Sequence, residues 1–219
     1  MKRRFLVFSF RFLVKREIKQ WTIIGRILGI AVLASLLTPS HSFAESPTAY
    51  VKSLMDRVLA IQNNPALAGE AHRGERAQAI REIIRHNFDF ERMARISLGA
   101  AYNHSGAARG EFVDTFTYLF QDSYTRMVLN YLKQETVKYN QERITDGEAR
   151  VNTTLIRANE TIPVDYLLRR SGQGWILYDV IVDGVSILEN YKTQFAQVIR
   201  THSFDYLLNR MKAQKKAIK

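Results

Sequence analysis

Near Gln134 the spacing of apolar residues changes from a helical period to a period of two, and past Val182 it changes back. A chain written this way folds as helices, then a sheet, then helices. The middle section is rich in β-branched and aromatic residues over 136–144, 149–157, 161–170 and 175–182. Its connections are short: Asp146-Gly147, Asn159-Glu160 and Ser171-Gly172-Gln173-Gly174. Four strands joined so closely form an antiparallel meander, because parallel neighbours need long crossovers. The expected fold class is therefore α+β, with a curved four-stranded antiparallel sheet and helices packed on it. The fourth strand, Trp175-Ile176-Leu177-Tyr178-Asp179-Val180-Ile181-Val182, is nearly all apolar. Either both of its faces are covered, or one lies on the core while the other lines a cavity.

The helical segments read from their stripes. Tyr50, Leu54, Met55, Val58, Leu59 and Ile61 recur at helical spacing until Asn63-Asn64-Pro65 stops the run. A second helix over 75–86 turns Ala79, Ile80, Ile83 and Ile84 inward, and a third, capped by Asp89, carries Phe90, Met93 and Ile96 as far as Gly99. The fourth, over 107–132, is the most apolar. Phe112, Phe116, Leu119, Phe120, Met127 and Tyr131 form its stripe, and Tyr118 and Tyr124 widen it beyond a simple amphipathic face. After the sheet, 185–201 presents Leu188, Tyr191, Phe195 and Val198, and Ser203 caps a last helix bearing Phe204, Leu207, Leu208 and Met211.

The chain has 219 residues, enough for one sizeable core, and no cysteine, which excludes disulfides, thiolate metal sites and lipoprotein acylation. Its net charge of +11 is unevenly placed. Eight bases and one acid fall in the first 44 residues, followed there by the charge-free run 27–37 and by Ser42-Phe43-Ala44. This is the pattern of a signal peptide cut after Ala44, leaving 45–219 as a single exported domain. An 11-residue apolar run falls short of the roughly 20 residues that span a bilayer. The excess charge beyond the leader sits in the tail, at Arg210, Lys212, Lys215, Lys216 and Lys219. The basic stripe of a nucleic-acid binder is missing.

Catalytic and metal signatures are absent: no HExxH, GxSxG, P-loop or GxGxxG occurs, so no metal and no cofactor is expected. Asp165 and Asp179 on neighbouring strands are the candidates for general acid/base work. They are expected instead to accept local hydrogen bonds or to pair with Arg157 or Arg169. The alternative to a binding protein is an enzyme with a cone-shaped apolar pocket that uses Asp165 or Asp179 as general base.

The stretch Gly174 to Phe195, GWILYDVIVDGVSILENYKTQF, resembles the signature of the MlaC, or toluene-tolerance, family of periplasmic phospholipid-binding proteins. Asn87-Phe88-Asp89-Phe90-Glu91-Arg92-Met93 with Leu98-Gly99, the run around Phe112, Phe116 and Tyr124, and Val164-Asp165-Tyr166 resemble the same family in the same order. The hopanoid-associated branch is a close relation. The resemblance implies a monomeric, non-enzymatic periplasmic carrier that takes one phospholipid by its acyl chains. It would shuttle between an inner-membrane ABC-type transporter complex and an outer-membrane lipoprotein/porin complex. The cavity is then expected from Phe116, Phe120, Tyr124, Met127 and Tyr131 of the fourth helix and Val164, Tyr166, Leu168, Tyr178, Val180 and Val182 of the sheet. Ile187, Tyr191 and Phe195 of the later helix complete it. Tyrosines suit its rim, and Arg157 or Arg169 the phosphate.

Overall fold

The computed structural model describes residues 45–132, 135–157 and 160–218, so the expected leader and its cleavage site lie outside the described residues. The chain opens with α1 (Pro47–Gln62), whose first turn is set by Pro47 and by the Ser46 side chain accepting from the Ala49 N–H. Next come α2 (Arg73–Asn87) and α3 (Phe90–Leu98), the latter capped by Asp89 accepting from the Arg92 N–H. The segment between α3 and the long helix holds a one-turn helix, α4 (Ala101–His104), and a 3-10 turn before α5 (Arg109–Tyr131).

The sheet follows as β1 (Thr136–Thr145), β2 (Glu148–Arg157), β3 (Glu160–Ser171), β4 (Gly174–Val182) and β5 (Val185–Ser186), antiparallel in simple sequence order. β5 is the departure from the expected four strands. Asp183 and Gly184 both adopt positive φ, 53° and 78°, and make a tight turn that folds Val185–Ser186 back on Ile181–Val182. Asp146-Gly147 does the same between β1 and β2 with φ of 50° and 78°. The helix expected to start at Val185 therefore begins two residues later, as α6 (Ile187–Thr201) capped by Ser186, and α7 (Phe204–Ile218) closes the chain.

Two bulges interrupt the ladder. One lies between Tyr139 and Gln141 on β1, and the other leaves Tyr178 of β4 as an extra residue opposite the Leu167–Leu168 step of β3. Each bends its strand and adds twist, so the sheet wraps rather than lying flat. α1 crosses the sheet, with the Thr48 N–H donating to Glu142 at 2.7 Å and the Tyr166 hydroxyl reaching the Met55 sulfur at 3.4 Å. α5 carries α2 on one side and α7 on the other, while α3 packs on α6 and meets β4. Phe88 bridges Leu177, and the Asp89 N–H donates to the Leu177 carbonyl at 2.8 Å. Phe112, Phe116, Phe120, Ile80, Met93, Leu168 and Leu188 are among the most deeply buried large side chains.

Candidate functional site

A cavity of about 480 Å³ separates α1, α2 and the C-terminal half of α5 from the inner face of the sheet. Its volume falls within the about 300–1,000 Å³ usual for ligand sites. Val51, Leu54, Met55 and Val58 line it from α1, Ile80, Ile83 and Ile84 from α2, and Phe120, Tyr124, Met127, Val128 and Tyr131 from α5. The sheet gives Leu155 from β2, Ile162, Val164 and Tyr166 from β3, and Leu177, Val180 and Val182 from β4, with Ile187 at the start of α6. Among the described residues, charged side chains enter the lining only as Arg157, Glu160 and Asp183. They stand at strand ends and turns, beside the exposed ring of Tyr131, and mark the mouth.

Period-two alternation explains the wall: Ile162, Val164 and Tyr166 are successive same-face residues of β3. On β4 the alternation breaks at the bulge. Val182 and Val180 face the hollow opposite Val164 and Tyr166, then Tyr178 is the extra residue and Leu177 takes the inward place opposite Leu168. Tyr178, expected in the cavity, is thus turned to the outer face, where Arg92 lies 3.9 Å above its ring and its hydroxyl donates to Glu148 at 2.7 Å. That bond holds the Glu148 carboxyl below its ordinary range, with Arg92 helping against the opposing effect of burial.

Nine of the fourteen expected residues line the hollow: Phe120, Tyr124, Met127, Tyr131, Val164, Tyr166, Val180, Val182 and Ile187. Besides Tyr178, four pack elsewhere. Phe116, Tyr191 and Phe195 belong to an aromatic cluster with Phe112, centroid separations running from 5.4 to 6.4 Å. Rings from α5 and α6 interlock at that end of α5, and none of the three lines the hollow. Leu168 is on the inner face but sealed against Ala149 and Leu177. The residues of α1 and α2 were not expected in the wall. Their stripes announced burial, and burial alone does not say whether the neighbour is packed protein or a void.

Neither candidate acid reaches the cavity. Asp165 faces outward and pairs with Arg150, rather than with Arg157 or Arg169, and accepts from Asn152 at 2.6 Å. Asp179 is buried and accepts from the Val180 N–H at 2.8 Å, the Leu188 N–H at 3.2 Å and the Ser186 hydroxyl at 2.6 Å. Burial pushes its carboxyl above the usual range, opposed by these three bonds. It ties β4 to the start of α6. Arg169 clasps Asp89 by its guanidinium, away from the mouth, whereas Arg157 is at the mouth, donating to Glu135 at 2.8 Å and to the Tyr131 carbonyl. Among the described residues no group of His and acids could hold a metal ion, and no helix is long and apolar enough to cross a membrane.

A wall of this composition suits an apolar ligand. The chain is 23% identical over 206 residues to the intermembrane phospholipid transport system binding protein MlaC of Haemophilus influenzae, covering 89% of this chain and 92% of that protein. Its fold matches that of the phospholipid-binding protein from Ralstonia solanacearum, solved in complex with a phospholipid. There the TM-score is 0.64 and the identity 27%, over 79% of this chain and 98% of that one. The family model described as MlaC protein matches residues 52–213, from the first turns of α1 into α7, and the chain therefore belongs to the MlaC family.

Proposed function

We propose that this chain is an exported lipid carrier that holds one phospholipid by its acyl chains and shuttles it between inner- and outer-membrane components of an ABC-type lipid transport system. The observation that carries the reading is the cavity itself, lined mostly by apolar side chains and, among the described residues, charged only at its mouth. The energetics make such a carrier necessary. Two acyl chains with roughly 30 methylenes together cost on the order of 20 kcal/mol to expose to water, at about 0.8 kcal/mol each. Free crossing of an aqueous gap is negligible on that scale, and a dry hollow removes the cost. The phosphate stays at the mouth near Arg157, since burying it unpaired would cost more than the site could return.

Export with cleavage after Ala44 is part of the proposal. It is supported by the leader pattern of residues 1–44, and a cut there keeps the contacts that follow it: the Trp175 indole N–H donates to the Glu45 carbonyl at 2.8 Å and Ser46 caps α1. Docking to the membrane components is proposed for α7. Residues 45–203 hold 19 bases and 19 acids, whereas 204–219 hold five bases and one acid, so the exported domain's net charge resides in its last sixteen residues. The acids that an enzyme would need are engaged in the fold, which supports a carrier without catalysis.

Native mass spectrometry of the purified protein, followed by lipid extraction, tests the reading. The expected result is one phospholipid per chain. A stoichiometric polycyclic hopanoid moves the cargo to the neighbouring branch of the family, and a chain that never carries lipid refutes the carrier.

A further inference from the structure

The cavity wall contains one polar group without an evident task. Tyr124 lies on α5 between Phe120 and Met127, and its ring is stacked on that of Phe120 at a centroid distance of 4.1 Å and an interplanar angle of 28°. That stack seats the ring in the wall. Four other enclosed tyrosines satisfy theirs within the protein: Tyr166 reaches the Met55 sulfur, Tyr178 donates to Glu148, Tyr50 to Asn87 and Tyr102 to Glu91. The Tyr124 hydroxyl makes no hydrogen bond with any described residue, nor is it sealed in packed protein as the Tyr139 hydroxyl is. Tyr124 is half-buried and lines the hollow.

A phenylalanine would keep the stack and the packing without leaving a donor unmatched. The hydroxyl therefore has a use only if its partner arrives with the cargo. A phospholipid brings few candidates. Its phosphate belongs at the mouth, and Tyr124 stands seven residues before Tyr131, two turns and about 10 Å further along α5. Below the phosphate the lipid carries two ester carbonyls, and below those only hydrocarbon. Burial also pushes the Tyr124 phenol well above its ordinary pKa, with Tyr191 and Asp179 adding to the shift, so it stays a neutral donor at any physiological pH.

We propose that the Tyr124 hydroxyl donates a hydrogen bond to an acyl-ester carbonyl of the cargo and makes this carrier selective for ester-linked lipids. The inference rests on the phospholipid-carrier reading, and the experiment separates the two. Delipidated wild-type protein and Tyr124→Phe are each offered an equimolar mixture of diacyl and dialkyl-ether phosphatidylglycerol of equal chain length, and the bound ratio is read by native mass spectrometry. Wild type is expected to favour the ester lipid by about fivefold, the worth of one net hydrogen bond, and Tyr124→Phe to bind both with a ratio near one. Equal binding by wild type, or an ester preference that survives in the variant, overturns the proposal while leaving the carrier intact. Binding of neither lipid by wild type removes the carrier reading and this inference with it. A second measurement guards against a structural role: delipidated Tyr124→Phe should melt no lower than delipidated wild type. A clear fall would mean that the hydroxyl has a partner inside the protein, and would also overturn the proposal.

Discussion

Filling the hollow with a side chain should separate a functional void from an ordinary core by the sign of its effect. Val180 sits in the middle of the β4 wall, paired with Tyr166, and keeps part of its surface open to the cavity. Val180→Phe adds four carbons on a strand position that favours aromatic residues. In a close-packed interior, extra carbons force side chains off their rotamers and cost about 1–3 kcal/mol. In an empty cavity of about 480 Å³ they find room and remove apolar surface from water. At about 0.8 kcal/mol per carbon the gain is bounded at about 3 kcal/mol. A domain of this size shifts its Tm by about 2–4 °C per kcal/mol, so the delipidated variant should melt up to about 10 °C above delipidated wild type. The same ring takes the place of hydrocarbon, so lipid recovered per chain should fall. Differential scanning calorimetry of delipidated samples reads the first quantity and phosphate analysis of extracts the second. A lower Tm in the delipidated variant would show that the space beside Val180 is already full, and the cavity argument would fail.

Lipid-loaded wild type should melt about 5–10 °C above delipidated protein when the lipid is present at about a hundredfold its Kd, because mass action then contributes about 2.7 kcal/mol; calorimetry of the two forms checks this. Asp179, whose carboxyl is held up by burial, lets the native state bind a proton more readily than the unfolded chain does. Its contribution to stability is therefore greatest below the unfolded carboxyl pKa of about 4, and declines as pH rises from there through the native value. Asp179→Asn keeps an oxygen for the Val180 and Leu188 N–H groups and should flatten that decline in urea melts taken from pH 4 to 7. Asp179→Leu leaves those donors and Ser186 unmatched and should cost about 1–3 kcal/mol. Tyr178→Phe removes the bond that keeps the Glu148 carboxyl low, so its pKa should move upward by NMR titration while lipid retention stays at the wild-type level.

The change of period near Gln134 and the turn residues were enough to read the order of elements and the meander, because each of those signals is local. Asp146-Gly147 announced its hairpin by residue type alone, and both residues do adopt positive φ. Asp183-Gly184 carried the same signal for a turn, but the two-residue strand after it is too short to leave a period. The bulge at Tyr178 was illegible for a different reason. Trp175 to Val182 is apolar on both faces, so no polar residue marks where the alternation slips, and only pairing with β3 decides it. The α1 and α2 walls were hidden in plain stripes: Val51, Leu54, Met55 and Val58 read as core whether they touch atoms or empty space.

The way α5 divides its labour explains why the hollow lies where it does. Its first half, through Phe112 and Phe116, interlocks with Tyr191 and Phe195 of α6 and with Phe204 of α7, and solid aromatic packing fixes that end of the molecule. Phe120 stands at the transition, touching Phe116 on one side, Phe88 and Phe90 across the helix interface, and Tyr124 on the other side. From there to Tyr131 the helix faces the void. An empty space of this size collapses unless its walls are anchored independently of one another, since every unpartnered lining atom favours closure. Here the anchors are polar and directional. Asp89 with Arg169, and Arg92 with Glu148, hold α3 to the sheet beyond the aromatic end, while Arg157 binds the end of α5 to β2 at the mouth. With both ends of the wall pinned, the sheet cannot slide inward onto α5, and the apolar surface between the pins stays uncovered until hydrocarbon fills it.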